Sequence, residues 1–461
     1  MKFREEKDSM GKLNVPEDAL YGATTQRALL NFPISDLRFN RTFIKSIAEI
    51  KRCAAETNLE LGTLEKNIAD EIIKAAELVS KGDYDSEFVV DIFQTGSGTS
   101  TNMNTNEVIS NVAIKNMGGV IGSRDPIHPN DHVNKGQSSN DVVPTAIHIA
   151  GCVGIVESLI PGLEKLQKSL EKKSEEFWGI IKTGRTHLQD ATPIRLGQEF
   201  LGYSGQIEES IRRAKSSLSE LSVLALGGTA VGTGIGMQKG FSNKVIEKLS
   251  KRFNIKFSES PNHFHSQSTI DAIVASSGNL KTIAVSLMKI GNDIRWLGSG
   301  PRAGIGEIEL PEVQPGSSIM PGKVNPVIAE SLTMVCAQVI GNDQTINIAG
   351  QSGNFELNVM MPVAAYNLLQ SIDLLSTSSN NFALQCVDGL KSTSKGPESV
   401  QNGLAICTAL APKIGYDNAA KIAHIASESG ETILEVAKRE TSFSHQELVD
   451  ILNAESMTEP S

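Results

Sequence analysis

A helical apolar stripe that runs from Ile270 to Leu297 constrains the fold of this chain more than any other feature. Its apolar residues recur three and four positions apart over nearly thirty residues, which is the spacing of one face of an α-helix. Similar stretches lie near 155–170, 196–225, 327–345 and 355–385. Long helices with apolar residues on more than one side are typical of a bundle that continues into partner subunits. Alternating, strand-like runs are rare, so the sequence predicts a mainly α protein.

The overall composition narrows the class of partner. The chain has 461 residues, of which 39% are hydrophobic and 21% charged, and its net charge is −10. This charge argues against nucleic acid or an anionic membrane as the main partner. No run of 18 apolar residues stands out, and the N-terminal MKFREEKDSMGKLN lacks the apolar core of a signal peptide. The sequence therefore predicts a cytoplasmic protein without a membrane-spanning helix.

The cysteines agree with this location. They lie far apart, they are odd in number, and none forms a CxxC pair, the five being Cys53, Cys152, Cys336, Cys386 and Cys407. This pattern is typical of a reducing compartment. We expect each cysteine to be a small core residue rather than a nucleophile.

The texture of the sequence predicts three domains. Residues 1–138 mix helical stretches, such as Arg41–Leu61, with loops, and they form an N-terminal mainly helical domain. Residues 139–393 carry the long stripes of a central helical bundle, and Pro161 predicts a kink in one of them. The break at KSTSKGPE opens a small C-terminal helical domain, 394–461. Within 94–140, Gly, Ser, Thr and Asn dominate, which indicates a surface that contacts something polar.

A loop of unusual composition, PGSSIMPGKVNP, covers residues 315–326. Its glycines and prolines exclude a helix interior or a central strand. Its polar side chains are Ser317, Ser318, Lys323 and Asn325, which together can bind a carboxylate and supply a base. From the residues alone, a loop that closes over a ligand and an ordinary polar surface turn are equally good interpretations.

A second polar segment, GRTHLQDATP, contains His187 beside Arg185, Thr186, Gln189 and Asp190. A histidine in such surroundings can act as a general acid or base near neutral pH. The alternative is a histidine that is hydrogen-bonded for structural reasons, and the segment by itself favours this alternative.

Three further patterns predict less than they first suggest. The GSGT of residues 96–99 is not followed by GK[ST], so it is not a phosphate-binding loop. The glycine-rich 227–236 follows a helical pattern rather than a strand, so it is not a dinucleotide fingerprint. The pairs His128/His132 and His263/His265 lack a third ligand, and we predict no metal site from them.

Several separate motifs, in order along nearly the whole chain, resemble those of the fumarase/aspartase superfamily. They include YGATTQRALLNF, QTGSGTSTNMNTNEV, HPNDHVNKGQSSND, GRTHLQDATP, ALGGTAVGTG, GPRAGIGEI, GSSIMPGKVNP and GNFELNV. The resemblance implies a fold of three mainly helical domains and a homotetramer with a twenty-helix core. It also implies active sites shared by three subunits, a small dicarboxylate substrate, and no metal or cofactor.

Within the superfamily, the sequence is more similar to the fumarase branch. Gly322 stands where the aspartase branch typically has alanine, and GNFELNV and GPRAGIGEI look like the fumarase versions. The resemblance therefore implies the reversible hydration of fumarate to L-malate. Aspartate ammonia-lyase is the alternative within the same fold. A structural protein that has lost the activity is an alternative of another class, although a scaffold has no physical need for this set of polar residues.

The resemblance also implies a role for individual residues. Ser317 matches the general base, His187 the general acid, and Glu330 the carboxylate partner of the histidine. The expected substrate-binding residues are Ser97, Gly98, Thr99, Ser138, Ser139, Asn140, Thr186, Ser318, Lys323, Val324 and Asn325. A second anion site is expected at His128, Pro129, Asn130 and Asp131. That site departs from the family pattern, because Asp125 stands where an arginine is typical, with Arg124 one place earlier, and because His132 and Gly136 are also unusual.

Overall fold

The structure, a computed structural model, describes residues 2–460 and is mainly helical, as predicted. The N-terminal part contains α1 (Ala23–Asn31), α2 (Arg41–Glu60), α3 (Lys66–Lys81) and α4 (Thr99–Asn116). The middle of the chain forms α5 (Ser139–Gly154), α6 (Ile160–Glu176), α7 (Leu196–Leu221), α8 (Phe241–Phe253), α9 (His263–Ser268), α10 (Asp271–Leu297), α11 (Val327–Gly350) and α12 (Met361–Gln385). The C-terminal part forms α13 (Lys395–Asn402), α14 (Ala411–Ile414), α15 (Tyr416–Ser429), α16 (Ile433–Glu440) and α17 (His445–Ile451).

The strands of the described residues pair only two at a time. The antiparallel pairs are β1 (Phe3–Asp8) with β2 (Gly11–Pro16), β3 (Ile181–Thr186) with β4 (Gln189–Arg195), β7 (Ile308–Glu309) with β10 (Lys391–Ser392), and β8 (Gly353–Asn354) with β9 (Leu357–Asn358). β5 (Val223–Leu224) pairs with β6 (Ser258–Glu259) in parallel. The β3–β4 hairpin matters most here, because it carries His187 at its turn.

Helix α10 shows why the apolar stripe specifies a long core helix. Ile273, Leu280, Leu287 and Ile294 are fully buried and recur every seven residues. This repeat keeps one face of a helix against its neighbours along the whole length. Each such side chain contributes roughly 1.5–3 kcal/mol on burial. On another side of the helix, Val285 remains 54% exposed, so the apolar surface is wider than the chain itself covers.

The chain divides into two compact units, each assembled from separated segments. The first unit comprises the residues up to Pro161, Arg212–Ala284 and Ala337–Ser376, and the second comprises Gly162–Ile211, Val285–Cys336 and the residues from Thr377 onward. Each unit has an apolar core. The first unit contains a buried cluster from α2, α3 and α4, and the C-terminal part of the second contains a cluster from α15, α16 and α17. The division into three domains at 138/139 and 393/394 stays a prediction.

Helix α4 corrects the prediction that 94–140 is a polar contact surface throughout. Its polar side chains are largely buried, among them Asn102, Asn104, Thr105, Asn106 and Glu107. The Glu107 carboxylate accepts hydrogen bonds from the backbone N–H groups of Gly22, Thr24 and Thr25 at 2.9–3.0 Å. A buried polar helix is stable when its polar atoms find such partners, and these partners lie more than 80 positions away in the sequence.

A π-helical turn at Ile155–Leu159 lies immediately before Pro161 and joins α5 to α6. Such turns, like prolines, are recognised causes of helix kinks, and the kink at Pro161 stays a prediction. The joined helix, Ser139–Glu176, contains an 18-residue window of mean hydropathy 1.7. It therefore meets the length and composition criteria of a membrane-crossing helix, contrary to the prediction that no such segment exists. However, 72% of that window is buried inside the protein, as in the core helix of a folded domain.

The cysteines lie where the sequence predicts. Cys53, Cys152, Cys336 and Cys386 are buried free thiols, and Cys407 is half-buried. Burial raises the pKa of Cys152 to about 12. A thiol in such surroundings stays protonated and is a poor nucleophile.

Candidate functional site

The first predicted carboxylate-binding segment, Ser97 to Thr99, lies where the chain enters α4. Gly98 has φ +73°, and a Cβ there would lie 2.8 Å from the side chain of Val143. Both the left-handed backbone and the close packing therefore require glycine. The hydroxyls of Ser97 and Thr99 are 2.7 Å apart and share a hydrogen bond. Hydroxyls beside the free N–H groups of a helix start form a suitable place for a carboxylate.

The second segment, Ser138 to Asn140, lies at the start of α5. Ser138 and Asp141 form a capping box, in which the Ser138 N–H donates to the Asp141 carboxylate at 2.9 Å. Ser138 Oγ also accepts from Asn140 N at 3.2 Å. The Asn140 side chain donates to the carbonyl of Ala230 at 2.8 Å. Ser139 Oγ accepts from Asn102 Nδ2 at 3.1 Å, which leaves its O–H free to donate to an anion.

Asp141 holds this segment in place, and sequence analysis did not single it out. It is fully buried, and its carboxylate accepts from the N–H groups of Ser138, Gly227 and Thr229 at 2.9–3.0 Å. Burial raises the pKa of Asp141 although these N–H groups oppose the rise. The glycine-rich 227–236 thus anchors a carboxylate of the protein itself. The spacing S-x-x-D of a capping box is the signal that could have identified Asp141.

In the second unit, the loop 315–326 closes on itself at its base. Asn325 Nδ2 donates to the carbonyl of Gly316. A Cβ on Gly316 would lie 1.8 Å from the carbonyl oxygen of Lys323, so glycine is required for the two arms of the loop to cross. The side chains of Ser318, Lys323 and Val324 are exposed.

A cavity of about 370 Å³ opens beside this loop. Lys323, Asn325 and Arg295 are among its lining residues. Two cationic side chains and an amide in the lining favour an anionic ligand. Arg295 was not among the predicted site residues, because it lies within the α10 stripe, where a lone arginine gives no sign of its surroundings.

The hydroxyl of Ser317 is held by the backbone of its own loop. Ser317 Oγ accepts from the N–H groups of Ile319 at 3.3 Å and Met320 at 3.1 Å. Fixed N–H donors stabilise a negative charge on an oxygen that they face. Such donors would lower the energy of a Ser317 alkoxide, which the predicted role of this serine as a base requires.

His187 lies at the turn of the β3–β4 hairpin. Thr186 pairs with Gln189, so His187 and Leu188 form a two-residue turn. Their φ values are +56° and +59°. This left-handed conformation normally favours asparagine and glycine, and it costs of order 1–3 kcal/mol at other residues. The turn holds an exposed imidazole at the tip of the hairpin.

A network of buried charges connects strand β3 of this hairpin to two glutamates elsewhere in the second unit. Lys182 Nζ lies 2.6 Å from Glu199 Oε1 and 2.9 Å from Glu307 Oε2, and Arg185 Nη2 donates to Glu307 Oε1 at 2.7 Å. The contact to Glu307 Oε2 is close enough for an ion pair but does not have the direction of a hydrogen bond. The side chains of Lys182 and Glu307 are 1% and 2% exposed. The network leaves no signal in the sequence, because its members come from three separate segments.

Glu330 lies in the first turn of α11, where its N–H donates to Pro326 O at 2.9 Å. Within residues 2–460, no hydrogen bond joins the side chains of His187, Ser317 and Glu330 to one another. The second unit therefore presents the three predicted catalytic side chains without pairing them. In the first unit, Asn102 connects the two predicted carboxylate-binding segments, because it lies on α4 and donates to Ser139.

Comparison with known proteins decides the family. A family model described as "Lyase" matches residues 11–341, and one described as "Fumarase C C-terminus" matches residues 406–459. The class II fumarate hydratase of Rickettsia bellii is 50% identical over 460 residues, which cover 100% of this chain and 99% of that one. The chain belongs to the class II fumarate hydratases.

Other members of the class II fumarate hydratase family agree with this assignment. The mitochondrial fumarate hydratase of Danio rerio is 49% identical, with 99% of this chain and 90% of that one covered. The crystal structure of a class II fumarase from Schistosoma mansoni superposes with a TM-score of 0.97 at 40% identity and covers 100% of both chains. The predicted mainly α superfamily fold and the fumarase branch are thereby confirmed, and the chain is a lyase.

The residues predicted for a second anion site form a π-helical turn, Pro129–Val133, in this member of the hydratase family. His128 Nδ1 accepts from the N–H groups of Asn130 and Asp131 at 3.2 Å, and His132 Nδ1 accepts from His128 N at 2.8 Å. Burial lowers the pKa of His132, which agrees with a neutral ring in this accepting role. The carboxylate of Asp131, itself one of the predicted residues, lies 3.3 Å from His128 Nδ1, and the second site stays a prediction.

Proposed function

We propose that this chain catalyses the reversible hydration of fumarate to L-malate, with Ser317 as general base and His187 as general acid. The observation that carries the residue assignment is the pair of backbone N–H groups that face Ser317 Oγ. Membership of the class II fumarate hydratases supports the reaction.

In the malate direction, Ser317 removes a proton from the carbon next to a carboxylate. That proton is only weakly acidic, and its removal places additional negative charge on the carboxylate oxygens. Fixed donors must stabilise this charge. Lys323 and Asn325 of the loop, together with the helix starts at Thr99 and Ser139, supply such donors in our proposal.

The second half of the reaction expels hydroxide from the neighbouring carbon as water. His187 supplies the proton, through a bound water, and Glu330 keeps the imidazole in the required tautomer. Thr186, beside the histidine, contributes a hydroxyl to substrate binding. Only protons and water move in these steps, so the proposed reaction requires no redox change and no cofactor.

We further propose that the active sites are completed in a homotetramer in which each site draws on three subunits. The long helices support this assembly, because they leave large apolar side chains uncovered. Leu201, Val285, Met334 and Ile348 are 52%, 54%, 67% and 52% exposed, and apolar surface of this extent on core helices is typical of a subunit interface. A partner subunit would then bring Glu330 and the loop to His187. The cytoplasm remains the predicted location.

The substrate is tested by incubating the purified full chain separately with L-malate and with L-aspartate. We expect fumarate absorbance to appear with malate and not with aspartate. Fumarate formed from aspartate, with release of ammonia, would favour the ammonia-lyase alternative. Absence of fumarate in both incubations, from a folded chain, would favour a structural protein that has lost the activity.

The role of His187 is tested by its pH dependence. We expect the dependence of kcat/KM on pH to be bell-shaped for the unaltered chain, since an acid and a base act together. His187→Asn should lower kcat by about 10²–10⁴-fold, the usual contribution of a general acid, and should remove one limb of the profile. A His187→Asn profile that retains both limbs would contradict the assignment. His424→Asn, at an exposed histidine of α15, serves as the control and should leave the profile unchanged.

A further inference from the structure

Lys51, on helix α2 of the first unit, is an unusual buried lysine. It is 0% exposed, and its Nζ donates to Asn134 Oδ1 at 2.9 Å and to Gln137 Oε1 at 3.0 Å. Buried lysines normally pair with a carboxylate. Within residues 2–460, however, Lys51 forms no salt bridge, and both of its hydrogen-bond partners are neutral amides. Burial lowers its pKa to about 7, against the attraction of Asp141.

The two amides that Lys51 contacts are locked in one orientation. Asn134 Nδ2 donates to Gln137 O, and Gln137 Nε2 donates to the carbonyls of Val133 and Lys135, at 3.1–3.2 Å. With their nitrogens committed to the backbone, both side-chain oxygens must turn toward Lys51. Helix α2 contacts this turn a second time, because Asn58 Nδ2 donates to Lys135 O at 3.1 Å. Helix α2 therefore fixes the conformation of the Asn134–Gln137 turn.

This turn leads directly into the carboxylate-binding segment. Gln137 precedes Ser138, the capping residue of α5. Asn134 Oδ1 also accepts from Asn102 Nδ2 at 3.2 Å, and the same Asn102 nitrogen donates to Ser139 Oγ at 3.1 Å. Three hydrogen bonds in series therefore connect Lys51 to Ser139, through Asn134 Oδ1 and Asn102 Nδ2. Its ammonium group lies behind a segment whose own donors, hydroxyls and amides, are uncharged.

Packing alone does not account for a lysine at this position, although the buried Asp141 carboxylate attracts its ammonium group. Removing an ammonium group from water is costly, and an apolar side chain of similar length would fill the same space without that cost. A dianionic substrate, by contrast, gains from a positive charge that is held out of solvent near its binding segment, because such a charge is weakly screened.

We propose that Lys51 is a positioning residue for substrate binding, which orders the Asn134–Gln137 turn and, as an ammonium ion, offsets the negative charge of the buried Asp141 where a substrate carboxylate meets Ser138–Asn140. This inference rests on the proposed function, since it assigns that segment to a carboxylate of the substrate. Lys51 does not touch the substrate, and it takes no part in the proton transfers of Ser317 and His187.

The test compares Lys51→Met in the full-length protein with the unaltered chain. We expect the KM for fumarate and the inhibition constant of succinate, a non-reacting dicarboxylate, each to rise about tenfold or more, the effect of losing one charged interaction. We expect kcat to change less than about threefold, since the proton-transfer groups are intact. Lys173→Met is the control for the loss of a buried lysine elsewhere: Lys173 pairs with Glu176 and donates to Leu390 O, and its loss should leave both constants unchanged.

The outcomes separate this inference from the proposed function. If the unaltered chain does not hydrate fumarate, the proposed function fails. If it does, and Lys51→Met lowers thermal stability or kcat while KM and the succinate constant stay unchanged, Lys51 is a structural residue and the inference is overturned. If Lys51→Met does not fold, Gln137→Leu is measured instead, because it removes one of the two side-chain oxygens that accept a hydrogen bond from Lys51. Both constants must then rise, and unchanged constants overturn the inference.

Discussion

Replacing Ser317 with alanine will lower kcat for fumarate hydration by about a thousandfold, within the 10²–10⁴-fold range of a general base. The substitution removes the oxygen that two backbone N–H groups of the loop, from Ile319 and Met320, hold in place. Alanine fills the same position without disturbing the crossing at Gly316, so the fold and the KM for fumarate should change little. Steady-state kinetics together with a thermal melt measure both effects.

The control for this experiment is Ser427→Ala, at an exposed serine of α15. It removes the same hydroxyl and should leave kcat unchanged. Activity of Ser317→Ala within a few-fold of the unaltered chain would show that another group removes the proton. A parallel loss of activity and stability would instead mark Ser317 as a structural residue of the loop.

Replacing Glu307 with alanine will destabilise the second unit by about 3–5 kcal/mol, the usual cost of removing one partner from a buried ion pair. Glu307 is the carboxylate shared by Lys182 and Arg185. Without it, among residues 2–460, Arg185 loses its ion-pair partner and the buried Lys182 retains Glu199 alone. Chemical denaturation, followed by the free energy of unfolding, measures the loss.

The same substitution should also lower activity in the molecules that remain folded. Arg185 lies on β3, the strand that leads to His187. We expect the left-handed turn at His187 to keep its conformation only while β3 and β4 stay paired. Glu309→Ala is the matched control, because Glu309 is exposed and lies two residues further along the same segment; surface substitutions of this kind usually change stability by less than about 0.5 kcal/mol. Equal stability of the two variants would contradict the importance of the network.

The helices could be predicted from the sequence because their signal is local. The stripe of α10 repeats within each turn, and the segment Arg41–Leu61 ends within one residue of α2 (Arg41–Glu60). The candidate site could be located for a similar reason. The loop 315–326 and the hairpin around His187 are short segments whose polar side chains are neighbours in sequence.

What could not be predicted is the burial of polar residues. The composition of helix α4 predicts a polar surface, yet Glu107 is 3% exposed. Its burial is possible because N–H groups of Gly22, Thr24 and Thr25 donate to its carboxylate. Similarly, the sequence shows no apolar run of 18 residues, whereas the helix Ser139–Glu176 contains an apolar window long enough to cross a membrane, and 72% of that window is buried. Burial depends on distant segments, which periodicity within one segment does not report.

The sequence by itself determined the helical class, the family and the loop that carries Ser317, since these depend on spacing and on contiguous motifs. Only the tertiary structure decided which charges are buried and what they support. Lys51, Asp141 and Glu307 appear in the sequence as three ordinary charged residues. In the structure they lie behind Ser139, Ser138 and the His187 hairpin. The reason is that the energy of a charge depends on the groups and the solvent around it, and folding alone brings these together.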